Sequence, residues 1–289
     1  MHSMMQGRSR RAFRLAELLV ALVLVGLVTA AAFRVLNTNQ RFYAAASDRM
    51  NLQQGVRGAA VVLPTVLRQL DASEGDIRAM SATSLSVRAY RQLGFICDPP
   101  VLGGLLTART MILRQTPFYG ARPFDAATDS MFIFYDGDPE VRTDDGWMLS
   151  RVESVGTANC PDGTPGIRLQ GSPSLNGLLN TVGAVPVGAP VWGFEPVTFK
   201  AHQVGSNWYL ALQSTQGTQP LVQTTGSSGL TFTYRDSTGA VTATPANVAQ
   251  IEVNLRAMSD RPTVQTGGGL AKSVDSLVMQ ISLRNNRRY

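Results

Sequence analysis

Glu17 is the first residue whose placement asks for a chemical reason. It lies between Leu15, Ala16, Leu18 and Leu19, at the head of a run that stays apolar to Phe33. At the centre of a membrane helix a carboxylate costs about 2.5–3.5 kcal/mol, and less toward an end. Such a group is tolerable when a cation satisfies it, so a partner has to be sought. Other reactive residues are few. The chain has two cysteines, Cys97 and Cys160, whose spacing fits no metal motif. Outside the cytoplasm they are chemically able to form one disulfide; two independent buried thiols is the other reading. Asp136, Asp138, Glu140, Asp144 and Asp145 crowd around Gly137 and Gly146. Calcium favours such oxygen-rich loops, with Asp136, Asp138 and Asp144 as ligand candidates. The spacing is not that of a helix–loop–helix calcium loop, and an acidic hairpin turn is the plainer reading.

Catalysis has little to work with. There are two histidines, His2 before the apolar run and His202 in a strand-like segment without an evident partner. That removes most zinc sites, catalytic triads and histidine acid–base schemes. Asp162 to Gly166 reads as a turn, since it lacks the lysine and the strand-to-helix context of a phosphate loop. No Gly-x-Ser-x-Gly elbow occurs. Neither an enzyme nor a bound cofactor is expected.

A chain of 289 residues with 44% hydrophobic residues has enough apolar material for a sizeable core. The formal net charge is +6. Arg8, Arg10 and Arg11 stand before the apolar run, and the other positive charges are dispersed apart from Arg284, Arg287 and Arg288. That terminal cluster reads as a solvated tail, and no nucleic-acid partner is expected.

The element that holds Glu17 must be a helix. Phe13 to Phe33 is about 21 residues, or about 31 Å as a helix, the thickness of a bilayer core. Only Arg14 and Glu17 interrupt it. Upstream arginines keep the N-terminal side cytoplasmic. Three readings fit. A secretory signal would have its h-region at Leu18–Val28 and a small-residue cleavage site at Ala30–Ala32. A plain membrane anchor accounts for length and orientation but leaves Glu17 without a purpose. In the third reading, Ala12 to Leu19 resembles the processing site of type IV pilins and of the pseudopilins of type II secretion.

That resemblance implies specific chemistry. A prepilin peptidase would cut between Ala12 and Phe13, and Phe13 would then be N-methylated. Glu17 would be the fifth residue of the mature chain, the position where the family carries glutamate. Ala12 replaces the family's usual glycine, and Arg14 stands where a small hydroxyl residue is common. The cationic amine created at Phe13 of one subunit could pair with Glu17 of a neighbour inside a filament. Either charge buried alone is strongly unfavourable, so the pair would act as an assembly register.

Past Phe33 a mostly apolar set, Leu36, Tyr43, Ala46, Met50, Gln53, Val56, Ala60, Leu63, Leu67 and Leu70, recurs at helical spacing. Pro64 should kink or divide this helix, and Asp71–Asp76 reads as its end. After Gly75 short alternating segments take over. Strands are expected at Ser84–Tyr90, Met131–Tyr135, Trp147–Val155, Val197–His202, Trp208–Gln213, Leu230–Tyr234, Ala240–Thr244, Val248–Arg256 and Leu277–Leu283. Cys97–Gln115, Ala158–Ala189 and Ser259–Ser273 read as loops. The expected fold is α+β, a long N-terminal helix packed on an antiparallel β-sheet head. Its parts would be a leader over 1–12, a transmembrane half over 13–33, an amphipathic half over 34–74 and a periplasmic head over 75–289.

The order of Glu195–Phe199, Asn207–Leu210, Gly229–Asp236, Ile251–Leu255 and Ile281–Asn285 is similar to that in PilW-type minor pilins and J-type pseudopilins. The resemblance implies a single-pass inner-membrane protein with its head in the periplasm. Its partners would be prepilin peptidase and other pilins or pseudopilins of a filament.

Overall fold

The structure, a computed structural model, describes residues 9–100, 109–120, 122–138, 140–141, 143–171, 185–264 and 269–284. The chain divides into two compact units. One comprises Met1–Asn51 with Ser259–Ser273, and the other Leu52–Met258 with Val274–Tyr289. The helix α1 spans Ser9–Leu67. The strands are β1 (Ile77–Met80), β2 (Ser84–Asp98), β3 (Arg109–Arg114), β4 (Tyr119–Gly120), β5 (Ser130–Tyr135), β6 (Gly146–Asn159) and β7 (Pro165–Gly171). They continue with β8 (Pro190–Val204), β9 (Asn207–Ser214), β10 (Gly217–Thr224), β11 (Leu230–Arg235), β12 (Gln250–Val264) and β13 (Leu270–Ser282). Every described strand pairing with a resolved register is antiparallel, and the molecule is α+β with the sheet dominant.

In the first unit, α1 carries the apolar run on an exposed surface: Leu15, Leu18, Leu22, Leu27 and Phe33 each show well over half of their area. The one hydroxyl in the run, Thr29, donates to the carbonyl of Val25 at 2.7 Å, so it presents no unsatisfied group. Within the segment 259–273, the Ser273 N–H donates to Ser259 Oγ at 3.0 Å.

In the second unit the last turns of α1 bury Leu52, Val56, Ala59, Leu63 and Leu67, followed by Leu70. These positions recur at steps of three and four, the spacing of one helix face. Val56, Leu63, Leu67 and Leu70 are expected positions, and the rest of the face differs. Met50 and Gln53 are exposed, and Leu52 and Ala59 take the core positions. The helix runs through Pro64 as one element, and Arg68 N–H closes the final turn on the Pro64 carbonyl at 3.0 Å. It stops at Leu67, short of the expected boundary at 74. Asp71 then organises the exit: its Oδ1 accepts from the Ser73 N–H at 2.9 Å and the Ser73 hydroxyl at 2.6 Å. Gly75 takes φ +73°, which a side chain would strain.

Two cores lie along one face of the long strands β2 and β8. Leu85, Val87, Val197 and Phe199 join the helix residues, β11, β12 and β13 in the first core. Ile96 and Val191 belong to the second. That second core fills a closed circuit of six strands. β2 pairs with β3, β3 with β7, β7 with β6, β6 with β5, β5 with β8, and β8 returns to β2. Closure leaves no edge among these six, and Met111, Leu113, Met131, Ile133, Met148, Val152 and Leu169 fill the interior.

Alternation explains how β8 serves both cores. Val191, Gly193, Glu195, Val197 and Phe199 share one face by the period of two. Gly193 faces Phe124 of the second core, and Val197 belongs to the first. Glu195, 5% exposed, falls between them. It meets Arg91 Nε at 3.4 Å and Arg122 at 3.3 Å. Arg91 is free to reach it because β2 slips register between Tyr90 and Gln92, leaving Arg91 as the extra residue of a bulge.

Several expected loops contain strands. β3 lies inside 97–115 and β7 inside 158–189, while β12 and β13 run into 259–273. β3 and β7 are only six and seven residues long, and the ends of β12 and β13 in this stretch are largely polar. The expected strands at Leu230–Tyr234 and Ala240–Thr244 do not pair as a hairpin; a single bridge joins Arg235 to Val241. β11 pairs along its length with β12 instead, which buries Leu230, Phe232 and Tyr234 in the first core.

Candidate functional site

Glu17 lies on α1 within the exposed apolar surface, among Leu15, Leu18 and Leu19. Among the described residues no cation reaches it within ion-pair distance. The helix is long and apolar enough to cross a membrane by length and composition; its most apolar 18-residue window has mean hydropathy 2.5 and is not buried at all. An apolar surface of this extent needs lipid or another apolar surface against it. Ala12 and Phe13 lie on the same helix, upstream of Glu17, and their side chains are outside the described residues.

The acidic segment connects β5 to β6 and uses its carboxylates internally. Asp144 Oδ2 accepts from the Asp138 N–H at 2.8 Å, and Asp138 Oδ1 accepts from the Glu140 N–H at 3.0 Å. Burial pushes the Asp136 carboxyl above its ordinary value, and the charges of Asp145 and Asp144 push it the same way. Among the described residues no group of three or more His, Cys, Asp or Glu side chains is arranged to hold a metal ion. Asp136, Asp138 and Asp144 share this connection, and the Asp138 and Asp144 carboxylates are engaged there by backbone N–H donors.

Cys97, near the end of β2, is bonded to Cys160, just after β6, with Cα atoms 5.6 Å apart. The bond ties together the strands flanking β3 and β7. His202 sits on β8 opposite Tyr209, in ordinary cross-strand contact.

A feature with no signal in the sequence is a cleft of about 340 Å³ on the face of β2 and β8 opposite the two cores. Arg78, Arg88 and Arg151 line it with Ser130 and Phe194. Register assembles it: Arg151 lies opposite Ser130, and Ser130 lies opposite Phe194. Three residues from β6, β5 and β8 therefore stand in one row on one face. Arg88 lies over the rings of Phe132 and Phe194, 5.2 and 5.5 Å from their centroids. These arginines are up to 73 positions apart in the chain and fall in no motif.

Compared with known proteins, the chain matches no family model, no curated protein and no solved structure.

Proposed function

We propose that this protein is a pilin-like subunit, a minor pilin of the PilW type or a J-type pseudopilin. It is made with a leader over 1–12, cut by prepilin peptidase between Ala12 and Phe13, and N-methylated at Phe13. Residues 13–33 cross the inner membrane and the sheet-rich part lies in the periplasm. The subunit assembles through its apolar helix into a type IV pilus or type II secretion-like filament.

One observation carries this reading. Glu17 stands four residues after Phe13 in an exposed apolar helical run, with no cation in reach among the described residues. The amine created by the cut supplies that cation from a second copy or a sister subunit. Inside a filament the two charges would leave water together, which makes their mutual satisfaction decisive for register. The closing of the second core by pairing and by the Cys97–Cys160 bond is consistent with a head that keeps its shape outside the cytoplasm.

The test is the mature N-terminus. The full chain is co-expressed with a prepilin peptidase, recovered from membranes and sequenced from its N-terminus by mass spectrometry. Methyl-Phe13 is the expected start. A start at Phe33 would make the run a secretory signal, and an uncut chain would make it a plain anchor for a periplasmic binding module; either result overturns the proposal.

A further inference from the structure

We infer that the arginine-lined cleft is a binding site for an acidic saccharide, a sugar ring bearing a carboxylate. Arg78, Arg88 and Arg151 converge on about 340 Å³, and no carboxylate lines the cleft among the described residues. Arg88 is partly neutralised by Asp76, 3.5 Å away, and donates to the Glu74 carbonyl at 3.1 Å. Arg78 and Arg151 make no ion pair with any described residue, and both are exposed. Like charges gathered around a concavity repel one another, and an oxyanion between them turns that repulsion into attraction.

The backbone brings Arg78 to this place. β1 and β2 slip register between Ile77 opposite Val87 and Ala79 opposite Ser86. Arg78 is thus the extra residue of a β-bulge, a device that re-aims a side chain. Arg88 is held from behind, over two rings and beside the fully buried Asp76, whose carboxylate also accepts from the Tyr90 hydroxyl at 3.0 Å. One guanidinium is preorganised and two are free to close on a ligand.

The remaining walls select the body of the ligand. Leu149, Phe194 and Pro196 offer an apolar side, while Ser130 offers a hydroxyl. A sugar ring has that dual character, with C–H groups on its faces and hydroxyls at its rim. Its carboxylate is planar and matches the two parallel N–H donors of a guanidinium. The volume is at the small end of ligand pockets, which run about 300–1,000 Å³. A single uronate unit, free or at the end of a chain, suits that size.

The experiment uses the full chain in a non-ionic polyoxyethylene detergent, which carries no sugar and no charge. Galacturonate, galactose, inorganic sulfate and inorganic phosphate are each titrated by calorimetry. Galacturonate is expected to bind at least about tenfold more tightly than galactose or either inorganic anion, and to weaken with added salt. The double substitution Arg78→Ala/Arg151→Ala should lower galacturonate affinity by about tenfold or more. Both side chains are exposed, so the fold should be kept, as an unchanged unfolding midpoint would verify. Equal binding of galactose, equal binding of sulfate or phosphate, or unchanged galacturonate affinity in the double variant would each overturn the inference. Galacturonate affinity kept by Arg78→Lys/Arg151→Lys would overturn the bidentate part of it.

Discussion

Arg122 holds both oxygens of Asp129, donating at 2.7 Å to one and 2.5 Å to the other, while the Asp129 side chain is fully buried. Asp129 accepts further from Gln92 Nε2 at 3.0 Å and from the Asp125 N–H at 2.9 Å. The hydrogen bond to Asp129 raises the Arg122 pKa above its ordinary value, against the opposing effect of burial. Together with Glu195 and Arg91, these residues form a polar seam at the place on β8 where one hydrophobic core gives way to the other. Removing the guanidinium leaves a buried carboxylate with only neutral donors. Arg122→Ala should therefore destabilise the protein by about 3 kcal/mol or more, read from urea unfolding of the full chain in detergent. Arg122→Lys should recover only part of that, because an ammonium cannot hold both oxygens side-on. A loss within about 0.5 kcal/mol for Arg122→Ala would show that the seam is ornamental to stability.

The Cys97–Cys160 bond closes a loop with a sequence separation of 63. On chain-entropy grounds such a cross-link is worth about 4 kcal/mol, within a general range of about 2–5. The paired substitution Cys97→Ala/Cys160→Ala should lower the unfolding midpoint accordingly, and reductant should do the same to the natural chain. Identical unfolding with and without reductant would show that the bond adds nothing to stability.

Asp162 sits in the turn beside that bond. Its carboxylate accepts from the Thr164 hydroxyl at 2.6 Å and the Thr164 N–H at 3.0 Å, and pairs with Arg114 at 2.8 Å. The Thr164 bonds first, then Arg114, hold its pKa at about 2 against an ordinary 3.8. The folded value lies below the unfolded one, so its contribution is complete above about pH 4 and is lost as pH falls toward 2. Carbon-detected NMR titration should place the Asp162 midpoint near 2 in the natural chain, and higher in Arg114→Ala. A midpoint that ignores Arg114→Ala would remove the ion pair from the account.

Tyr234 gives the opposite dependence. Its hydroxyl donates to the Ser81 carbonyl at 2.8 Å and the Ser84 carbonyl at 3.2 Å, and burial raises its pKa well above the ordinary 10.0. The folded state keeps a proton that the unfolded state releases, so stability falls as pH rises past about 10. Tyr234→Phe should flatten that alkaline slope while costing about 1 kcal/mol at neutral pH. An unchanged slope between pH 9 and about 11 would assign alkaline unfolding to another group.

Glu17→Ala should leave membrane insertion and head folding intact, since the substitution removes a costly charge from an apolar helix. Filament incorporation, counted by immunogold labelling alongside the membrane pool, should fall about tenfold or more. Incorporation equal to that of the natural chain would refute the register role of Glu17.

The helix and its apolar run are legible in sequence because a single element carries its own periodicity. The same holds for β5, β6, β8, β9, β11 and β12, whose alternation of apolar and polar residues is local. β3 and β7 are not legible in this way. The surrounding Gly, Pro and polar residues outweigh six or seven residues of pattern, and only their pairing with each other and with β2 and β6 marks them as strands. The expected stripe of α1 contains Val56, Leu63, Leu67 and Leu70, which are buried, but Leu52 and Ala59 take core places where periodicity points to Met50, Gln53 and Ala60; only packing decides among neighbouring stripes.

What the sequence determined by itself is the chemistry confined to one stretch. Glu17 needs a cation if its apolar surroundings are removed from water, and two cysteines in an oxidising compartment can bond. The tertiary structure alone decided which distant residues meet. Arg91 reaches Glu195 through a bulge, Arg122 meets Asp129 beneath it, and Arg78, Arg88 and Arg151 line one cleft because strand register sets them on one face. Register is a property of pairs of strands, fixed by the cores they bury together, and no single strand encodes it.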